Sequence, residues 1–300
     1  MFLPLMILAA ITACQADPVV PAPEELGSGE TDGYKLVWED CFNGDVLDET
    51  VWNIEEKGDG CGNAELEYYT RDNVSLGTEP ESGRHCLILT AKKENYKGKS
   101  FTSGRINTLE KRYFLHGKVE ACIKLPQTAN GLWPAFWMMG NDINQVGWPR
   151  CGETDILEMG NAEGIRKGTQ DRYFNGACHW GYYNEQNQYP NYAKASTWDY
   201  SLQDGEFHLF TLIWDENYIR MYCDLDKYPD TEPYYEMGIE HKDGDEGWAA
   251  SLYFHKENFI LFNLAVGGYF TGILNPDGIT AFENENEKSM YVDYVKVYQK

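Results

Sequence analysis

The chain is dominated by short segments in which apolar and polar residues alternate with a period of two. This alternation runs through Cys86–Lys92, Gly117–Leu125 and Met290–Tyr298, and each segment predicts a strand with one face turned to a core. Phe207–Trp214 and Tyr218–Cys223 flank a three-residue turn and predict a hairpin. Because no long stretch has a helical period, the pattern predicts an all-β sandwich.

Other segments complete this prediction. Residues 133 to 139 are apolar on both faces in strand register, which predicts a central strand between a core and a cleft. Phe259–Val266 is a second apolar strand, and Leu36–Asp40 and Phe101–Ile106 are expected to be strands. Tyr182–Tyr200 is rich in Tyr, Asn and Gln, and we expect a long loop over one end of the cleft.

One stretch, Gly152–Gly160, carries three acids in an unusual pattern. Glu153 and Asp155 share a face of a strand, whereas Glu158 falls on the opposite face of a regular strand. On a helix the first and last acids would lie ~140° apart, at ~100° per residue. A β-bulge at residues 156–157 adds one residue and returns Glu158 to the face of the other two. The segment therefore predicts a bulged strand with three acids on one side.

Acids arranged in this way suit glycoside cleavage by two carboxyl groups. One carboxylate attacks the anomeric carbon and the other carboxyl protonates the leaving oxygen, at a separation of ~5–5.5 Å in retaining enzymes. Neighbouring like charges also raise one another's pKa. On the acids alone, a solvated strand face or a calcium-binding acidic patch is an equal alternative.

The flanking residues favour the enzymatic interpretation. Upstream run Asn-Gly-Leu-Trp-Pro-Ala-Phe-Trp-Met-Met-Gly (130–140) and Gly-Trp-Pro-Arg-Cys (147–151). With the acids, they closely resemble glycoside hydrolase family 16, in its laminarinase and mixed-linkage β-glucanase (licheninase) branch, from about residue 34 to the C-terminus. The resemblance implies that Glu153 is the nucleophile, Asp155 its electrostatic helper and Glu158 the general acid/base. Thr154 stands where the family usually has an aliphatic residue, and it fits a strand.

The resemblance also implies a set of substrate-binding residues: Asn63, Arg105 and His179, together with Trp133, Trp137 and Trp148 from the tryptophan-rich flanks. Each has a plainer alternative: a turn Asn, a surface Arg, a satisfied core His, or a core Trp. We expect Trp133 and Trp148 to line the cleft, and Trp137 to form its wall. Asp293 corresponds to a position where family members often have a structural calcium ligand, so calcium is a further expectation. No cofactor is required for catalysis.

The resemblance narrows the fold to a β-jelly-roll sandwich of two curved antiparallel sheets with a concave substrate cleft. The net charge of −23 argues against nucleic acid as a partner, because nucleic-acid binding needs a basic surface. It also disfavours polyanionic glycans, so a neutral polysaccharide is the expected substrate.

The N-terminus is predicted to be a bacterial lipoprotein signal. Residues 1–13 are mostly apolar and too few to span a bilayer, and they end in Ile-Thr-Ala before Cys14. We expect Cys14 to carry lipid, residues 14–32 to form a flexible tether and residues 33–300 to form one catalytic domain. An ordinary secretory peptide is the alternative. Both kinds of signal imply export. A lipid anchor would place the protein at a bacterial cell surface or periplasmic membrane. We expect the protein to be a monomer.

Seven cysteines follow Cys14, an odd number that cannot pair fully within one chain. Their spacings fit no zinc site, and we expect mostly buried free thiols with one or two disulfides.

These observations predict a retaining endo-β-glucanase that hydrolyses β-1,3-glucans, mixed-linkage β-1,3-1,4-glucans or both. A galactan (agarase-like) hydrolase of the same fold is the alternative within the enzymes. A glycan-binding lipoprotein with inactive acids is the alternative outside them.

Overall fold

The computed structural model of the protein describes residues 33–300. The predicted signal peptide (1–13), the lipidation site at Cys14 and the tether (14–32) lie outside the described residues. Among the described residues, no helix combines the length and the apolar character needed to cross a membrane.

Eighteen strands account for most of the ordered elements. In the first third they are β1 (Lys35–Asp40), β2 (Asn53–Ile54), β3 (Glu67–Tyr69), β4 (Val74–Thr78), β5 (His85–Lys92), β6 (Phe101–Ser103) and β7 (Arg105–Asn107). The middle third contains β8 (Tyr113–Phe114), β9 (Gly117–Lys124), β10 (Leu132–Gly140), β11 (Glu153–Met159), β12 (Tyr173–His179) and β13 (Asn191–Thr197). The last third contains β14 (His208–Trp214), β15 (Tyr218–Cys223), β16 (Tyr235–Gly238), β17 (Asn258–Val266) and β18 (Glu287–Gln299).

Helices are few and short in residues 33–300. They are α1 (Ile143–Val146), α2 (Ala162–Lys167) and three single 3-10 turns, at Arg71–Asn73, Ala250–Leu252 and Pro276–Gly278.

The strands form two large sheets. One has ten strands in the order β16-β15-β14-β9-β18-β5-β6-β3, with β1 added at β18 and β4 at β5. The other has eight strands in the order β13-β12-β11-β10-β17-β7-β2, with β8 added at β17. Neighbouring strands are antiparallel except β3 and β6, which are parallel. The predicted all-β jelly-roll sandwich is confirmed.

The main core fills the space between the sheets. Phe136 and Met138 of β10 and Ile156 and Leu157 of β11 belong to it and are almost fully buried. The alternate residues of β10 lie on the other face of the eight-stranded sheet, in a smaller apolar cluster of Ala135, Trp137, Met139, Cys151, Phe259 and Leu261. The strand at 133–139 is therefore apolar on both faces because it has a core on one side and the site on the other.

Two predictions about local structure were wrong. Phe101–Ile106 is not one strand, because the chain changes sheet at Gly104 between β6 and β7. A Cβ at this glycine would lie 2.6 Å from the carbonyl oxygen of Asn73, so the turn has no room for a side chain. Tyr182–Tyr200 is not wholly a loop, since Asn191–Thr197 forms the edge strand β13 and pairs with β12. Its alternation was hidden because both faces are mostly exposed.

Six cysteines are free thiols, of which Cys61 is half-buried and the others are buried: Cys86, Cys122, Cys151, Cys178 and Cys223. The expectation of mostly buried thiols is confirmed.

Candidate active site

The strand β11 contains the predicted bulge. Phe136 and Trp137 are consecutive on β10, whereas their partners Leu157 and Asp155 are separated by Ile156. The pairing of β11 with β12 shifts at the same place. One extra residue on one strand of an antiparallel pair is the defining feature of a β-bulge.

Because of this bulge, Glu153, Asp155 and Glu158 lie on one face of the sheet. Their partners on β10 are alternate residues of the outward face: Met139, Trp137 and Ala135. Asp155 and Glu158 are 5% and 8% exposed, and Glu153 is half-buried. We call these three residues the acid row.

Each end of the acid row accepts a hydrogen bond from a tryptophan. The indole Nε1 of Trp148 donates to Oε2 of Glu153 at 3.0 Å, and Nε1 of Trp133 donates to Oε1 of Glu158 at 3.1 Å. Trp148 is 37% exposed, whereas Trp133 is buried and stacks on Phe270 with ring centroids 4.7 Å apart. Both tryptophans therefore contact the acid row, and their role in lining the cleft stays a prediction.

The two glutamates have raised pKa values because they are buried. Burial raises the pKa of Glu153 to about 7, against the hydrogen bond from Trp148 and the positive charge of Arg105. Burial and the charge of Glu153 raise the pKa of Glu158 to about 8, against the hydrogen bond from Trp133. Because the charge of Glu153 is one cause of the raised pKa of Glu158, ionisation of Glu153 favours a proton on Glu158, as a nucleophile and a general acid require.

Asp155 lies between the glutamates and faces His179 of β12. Burial and the charges of both glutamates raise the pKa of Asp155 well above its usual value. Its Oδ2 is 3.5 Å from Nε2 of His179, and it has no shorter polar contact among the described residues. Burial lowers the pKa of His179 to about 4, so this imidazole is neutral at pH 7. Its Nδ1 is 3.3 Å from the hydroxyl of Tyr189.

Arg105 holds a carboxylate, but not one of the acid row. Its Nε donates to Oε1 of Glu55 at 2.9 Å, and the guanidinium lies over Trp137, 4.9 Å from the ring centroid. Burial would raise the pKa of Glu55, yet the charges of Arg105 and Lys57 outweigh it and lower that pKa to about 2. Arg105 is buried on the face of the eight-stranded sheet that carries the acid row, rather than exposed on the surface.

The remaining predicted residues surround the same face. Trp137 forms part of the wall, and its Nε1 donates to Oδ1 of Asn263 at 2.7 Å. Asn63 is half-buried in the turn before β3, where its Nδ2 is 3.4 Å from Oε1 of Glu65. Its carbonyl oxygen accepts a hydrogen bond from the backbone of Tyr269.

Sequence reasoning missed several residues that complete the site: Glu55, Glu65, Tyr189, Asn263 and Phe270. Glu55, Asn263 and Phe270 each contact a predicted residue from a segment distant in sequence. Glu65 lies only two residues from Asn63, and Tyr189 ten residues from His179. Glu55, which follows the two-residue strand β2, is 50 residues from Arg105. No local pattern could have identified Glu55, Asn263 and Phe270, because only the folded chain brings these distant segments together.

The expected calcium ligand has a different partner. Asp293 lies on β18 of the ten-stranded sheet, and its Oδ2 accepts from Nη1 of Arg84 at 2.9 Å. Calcium takes six to eight oxygen ligands, and a guanidinium against the carboxylate does not fit that requirement. Calcium at Asp293 stays a prediction, and we derive no chemistry from it.

Two other groups in residues 33–300 bring together atoms that could ligate a metal. One is Glu153, Asp155 and His179, and the other is His208, Cys223 and Asp224. Both include nitrogen or sulfur and so do not form the all-oxygen set typical of calcium.

Comparison with known proteins agrees with this geometry. The family model described as "Glycosyl hydrolases family 16" matches residues 67–239. A glucan endo-1,3-beta-glucosidase of Cryptopygus antarcticus is 33% identical over 88% of this chain and 91% of its own length. Two other curated relatives are longer, and the chain spans 34% and 38% of their length.

Solved structures share the fold as well. The family 16 mixed-linkage glucan enzyme of Bacteroides ovatus, in complex with a G4G4G3G product, superposes with a TM-score of 0.75 at 38% identity, over 87% of this chain and all of that one. The laminarinase catalytic domain of Thermotoga maritima gives a TM-score of 0.69 at 30% identity, over 89% and 98% of the two chains. With a family model that covers more than half of its length, the chain belongs to glycosyl hydrolases family 16.

Proposed function

We propose that the protein is a retaining endo-β-glucanase that hydrolyses β-1,3-glucans, mixed-linkage β-1,3-1,4-glucans or both. The observation that carries this proposal is the acid row, which the bulge in β11 places on one face with a tryptophan donor at each end. The names of its relatives, a glucan endo-1,3-beta-glucosidase and a mixed-linkage glucan enzyme, support the substrate class.

The first step transfers the sugar to the protein. Ionised Glu153 attacks C1 of a glucosyl unit and forms a C1–O ester, while the bond between C1 and the glycosidic oxygen breaks. Glu158 gives its proton to that departing oxygen, so the shortened chain leaves with a free hydroxyl. The higher pKa of Glu158 keeps a proton available for this step.

The second step returns the sugar to water. Formation of the ester removes the negative charge of Glu153, one of the causes that raise the pKa of Glu158. The deprotonated Glu158 then accepts a proton from water, which attacks C1 and releases Glu153 as a carboxylate. Two displacements at the same carbon retain the β-configuration.

The neutral imidazole of His179 helps to keep the cleft free of a fixed positive charge near Asp155. Asp155, between the two glutamates, is suited to share a proton with either neighbour as the charge moves along the row.

The decisive experiment measures reducing-end release from barley β-glucan and laminarin side by side. We expect Glu158→Gln to lower kcat by ~10²–10⁴-fold and Glu153→Gln to lower it at least as much, because each removes a group that acts in the transition state. Glu216→Gln, on an exposed turn, is the matched control and should keep full activity.

Two results would contradict the proposal: normal turnover of polysaccharide by Glu158→Gln, or the α-anomer as the first-formed product in an NMR time course. Product sizes from the two polymers then separate the linkage preferences. Release of reducing ends from agarose but from neither glucan would favour the galactan alternative, and no release from any polymer would favour a glycan-binding role.

The lipid anchor at Cys14 and an exported location remain part of the proposal. They rest on residues 1–32 of the sequence, and incorporation of labelled fatty acid into the wild type but not into Cys14→Ser would test them.

A further inference from the structure

A second pair of acids lies beside the site and has no part in the double displacement. Glu65 and Glu67 are 3% and 1% exposed, more deeply buried than any member of the acid row. Glu67 begins β3, and Glu65 forms a bridge to Gly267 just beyond β17. Two buried carboxyl groups two residues apart need hydrogen-bond partners, since an unpaired buried charge is strongly destabilising.

Glu65 ends a chain of hydrogen bonds that begins at the cleft wall. Nε1 of Trp137 donates to Oδ1 of Asn263 at 2.7 Å, and Nδ2 of Asn263 donates to the hydroxyl of Tyr69 at 3.3 Å. That hydroxyl donates to Oε2 of Glu65 at 2.8 Å, while Nδ2 of Asn63 approaches Oε1 at 3.4 Å. Every donor in this chain points towards Glu65, so Glu65 must be an acceptor at both oxygens, as an ionised carboxylate is.

Glu67 is placed to hold a proton. Its Oε2 accepts from the backbone N–H of Val266 at 2.7 Å, while its Oε1 is buried without a partner among the described residues. Burial, and then the charge and hydrogen bonding of Glu65, raise the pKa of Glu67 well above its usual value. A proton on Glu67 leaves no charge on this buried carboxyl group and removes the repulsion between the two carboxyl groups.

Two cations, Arg105 and Lys99, lie close to the network. The guanidinium of Arg105 lies 5.8 Å from the ring centroid of Tyr69. Cys61 also faces the pair, and the charges of Glu65 and Glu67 act with burial to raise its pKa. Nζ of Lys99 donates to the carbonyl oxygen of Glu65 at 2.7 Å, so it is held at the backbone.

We propose that Glu65 and Glu67 share one proton, held on Glu67, and that ionised Glu65 is a positioning residue for glucan binding. Glu65 orients Asn63 directly and orients the indole of Trp137 through Tyr69 and Asn263. The inference rests on the proposed function, because it assigns Asn63 and Trp137 to the substrate-binding face of the same cleft.

The test compares two isosteric substitutions, Glu65→Gln and Glu67→Gln. A glutamine amide has one donor end and one acceptor end, like a protonated carboxyl, so it can replace Glu67. At position 65 its NH₂ group would face a donor, either Tyr69 or Asn63, and would break the network. We expect Glu65→Gln to lose about tenfold more kcat/KM than Glu67→Gln, mainly through KM, because hydrogen bonds to a charged group are lost.

A second measurement, the dependence of Tm on pH, requires no activity. An acid whose folded pKa is raised costs stability as pH rises from its unfolded value, near 4, towards its folded value. Glu67→Gln should therefore have a higher Tm than the wild type at pH 7, and the difference should vanish near pH 4. Glu65→Gln should show no such gain.

Equal losses of kcat/KM in the two variants would overturn the proposal. A Glu65→Gln protein with a lower Tm but unchanged kcat/KM would also overturn it, because the pair would then have only a structural role. If Glu65→Gln does not fold, Tyr69→Phe removes the same hydroxyl link and should raise KM. If Glu153→Gln kept its activity, the proposed function would be wrong, but the position of the proton would still be decided by the Tm comparison.

Discussion

The buried carboxylate of Asp224 and the three carboxyl groups of the acid row have pKa values shifted in opposite directions. Asp224, in the ten-stranded half of the fold, is fully buried and accepts from Nδ1 of His208 at 2.7 Å, the backbone of Leu209 at 2.9 Å and the hydroxyl of Tyr200 at 3.0 Å. Burial would raise its pKa, but these contacts outweigh burial and lower it. The acid row has no lysine or arginine within 4.0 Å in residues 33–300, and its pKa values are raised.

The direction of the pKa shift distinguishes a carboxylate that stabilises the fold from carboxyl groups that are suited to catalysis. Asp224 has enough donors and positive charge to stay ionised at any ordinary pH. In the acid row burial dominates, and the tryptophan hydrogen bonds only reduce its effect. The row can therefore gain and lose protons near neutral pH, which is what acid/base catalysis requires.

The largest change in the free energy of unfolding should follow from neutralising Asp224. We expect Asp224→Asn to reduce the free energy of unfolding by about 3–5 kcal/mol, because it leaves the buried imidazolium of His208 with a single carboxylate, Asp204. Denaturant midpoints measure the loss.

The dependence of this loss on pH follows from the signs of the two shifts. The lowered pKa of Asp224 gives stability above about pH 4 that disappears as pH falls. The raised pKa of His208 gives stability below about pH 6.5 that disappears as pH rises through the folded value. The loss in Asp224→Asn should be greatest between these limits, and a loss that does not vary with pH would contradict the ion pair.

Neutralising Asp155 should change the free energy of unfolding in the opposite direction. We expect Asp155→Asn to raise the free energy of unfolding at pH 7 by about 0.5–2 kcal/mol, since it removes the charge between the two glutamates. Because the folded pKa of Asp155 is raised, the gain should be absent near pH 4 and should grow as pH rises. Catalytic turnover should fall at the same time.

Asp171→Asn serves as the matched control for this substitution, because Asp171 is half-buried and its carboxylate has no hydrogen bond or ion pair among the described residues. A destabilised Asp155→Asn at pH 7 would mean that the central acid is held by a favourable contact. The contrast between the two groups of carboxylates would then be wrong.

The smallest effect concerns the two tryptophans. Each indole N–H stabilises the ionised form of its glutamate, so its removal should raise that pKa by up to about one unit. Trp148→Phe should move the acidic limb of the kcat/KM profile to higher pH through Glu153, and Trp133→Phe should move the alkaline limb to higher pH through Glu158. Profiles on a soluble oligosaccharide measure both limbs, and a shift of the same limb in both variants would refute the assignment.

The strands and the acid row could be predicted from the sequence, whereas Asp224 and its contacts could not. The alternation of polarity predicted most strands, and the spacing of Glu153, Asp155 and Glu158 required an inserted residue that the structure contains. These predictions succeeded because they depend on residues close together in the chain, where the two-residue period of a strand fixes which side chains share a face.

What could not be predicted depends on contacts between distant segments. The carboxylate held by Arg105 is Glu55, and the partner of Asp293 is Arg84, 209 residues away. The strand β13 was mistaken for a loop because an edge strand with two exposed faces lacks the apolar alternation that marks a half-buried strand. The Glu65–Glu67 pair was not identified because local sequence spacing reveals neither the burial of Glu67 nor the hydrogen bond from Tyr69 to Glu65.

The inserted residue in β11 also constrains how this segment can change. Side chains in it are open to substitution, as Thr154 shows by occupying a strand position without a charge or a catalytic contact. Its length is open to one change as well, because loss of residue 156 or 157 would remove the bulge and leave the three acids on one face of a regular strand. A single-residue deletion at the bulge should thus keep all three carboxyl groups on the cleft face.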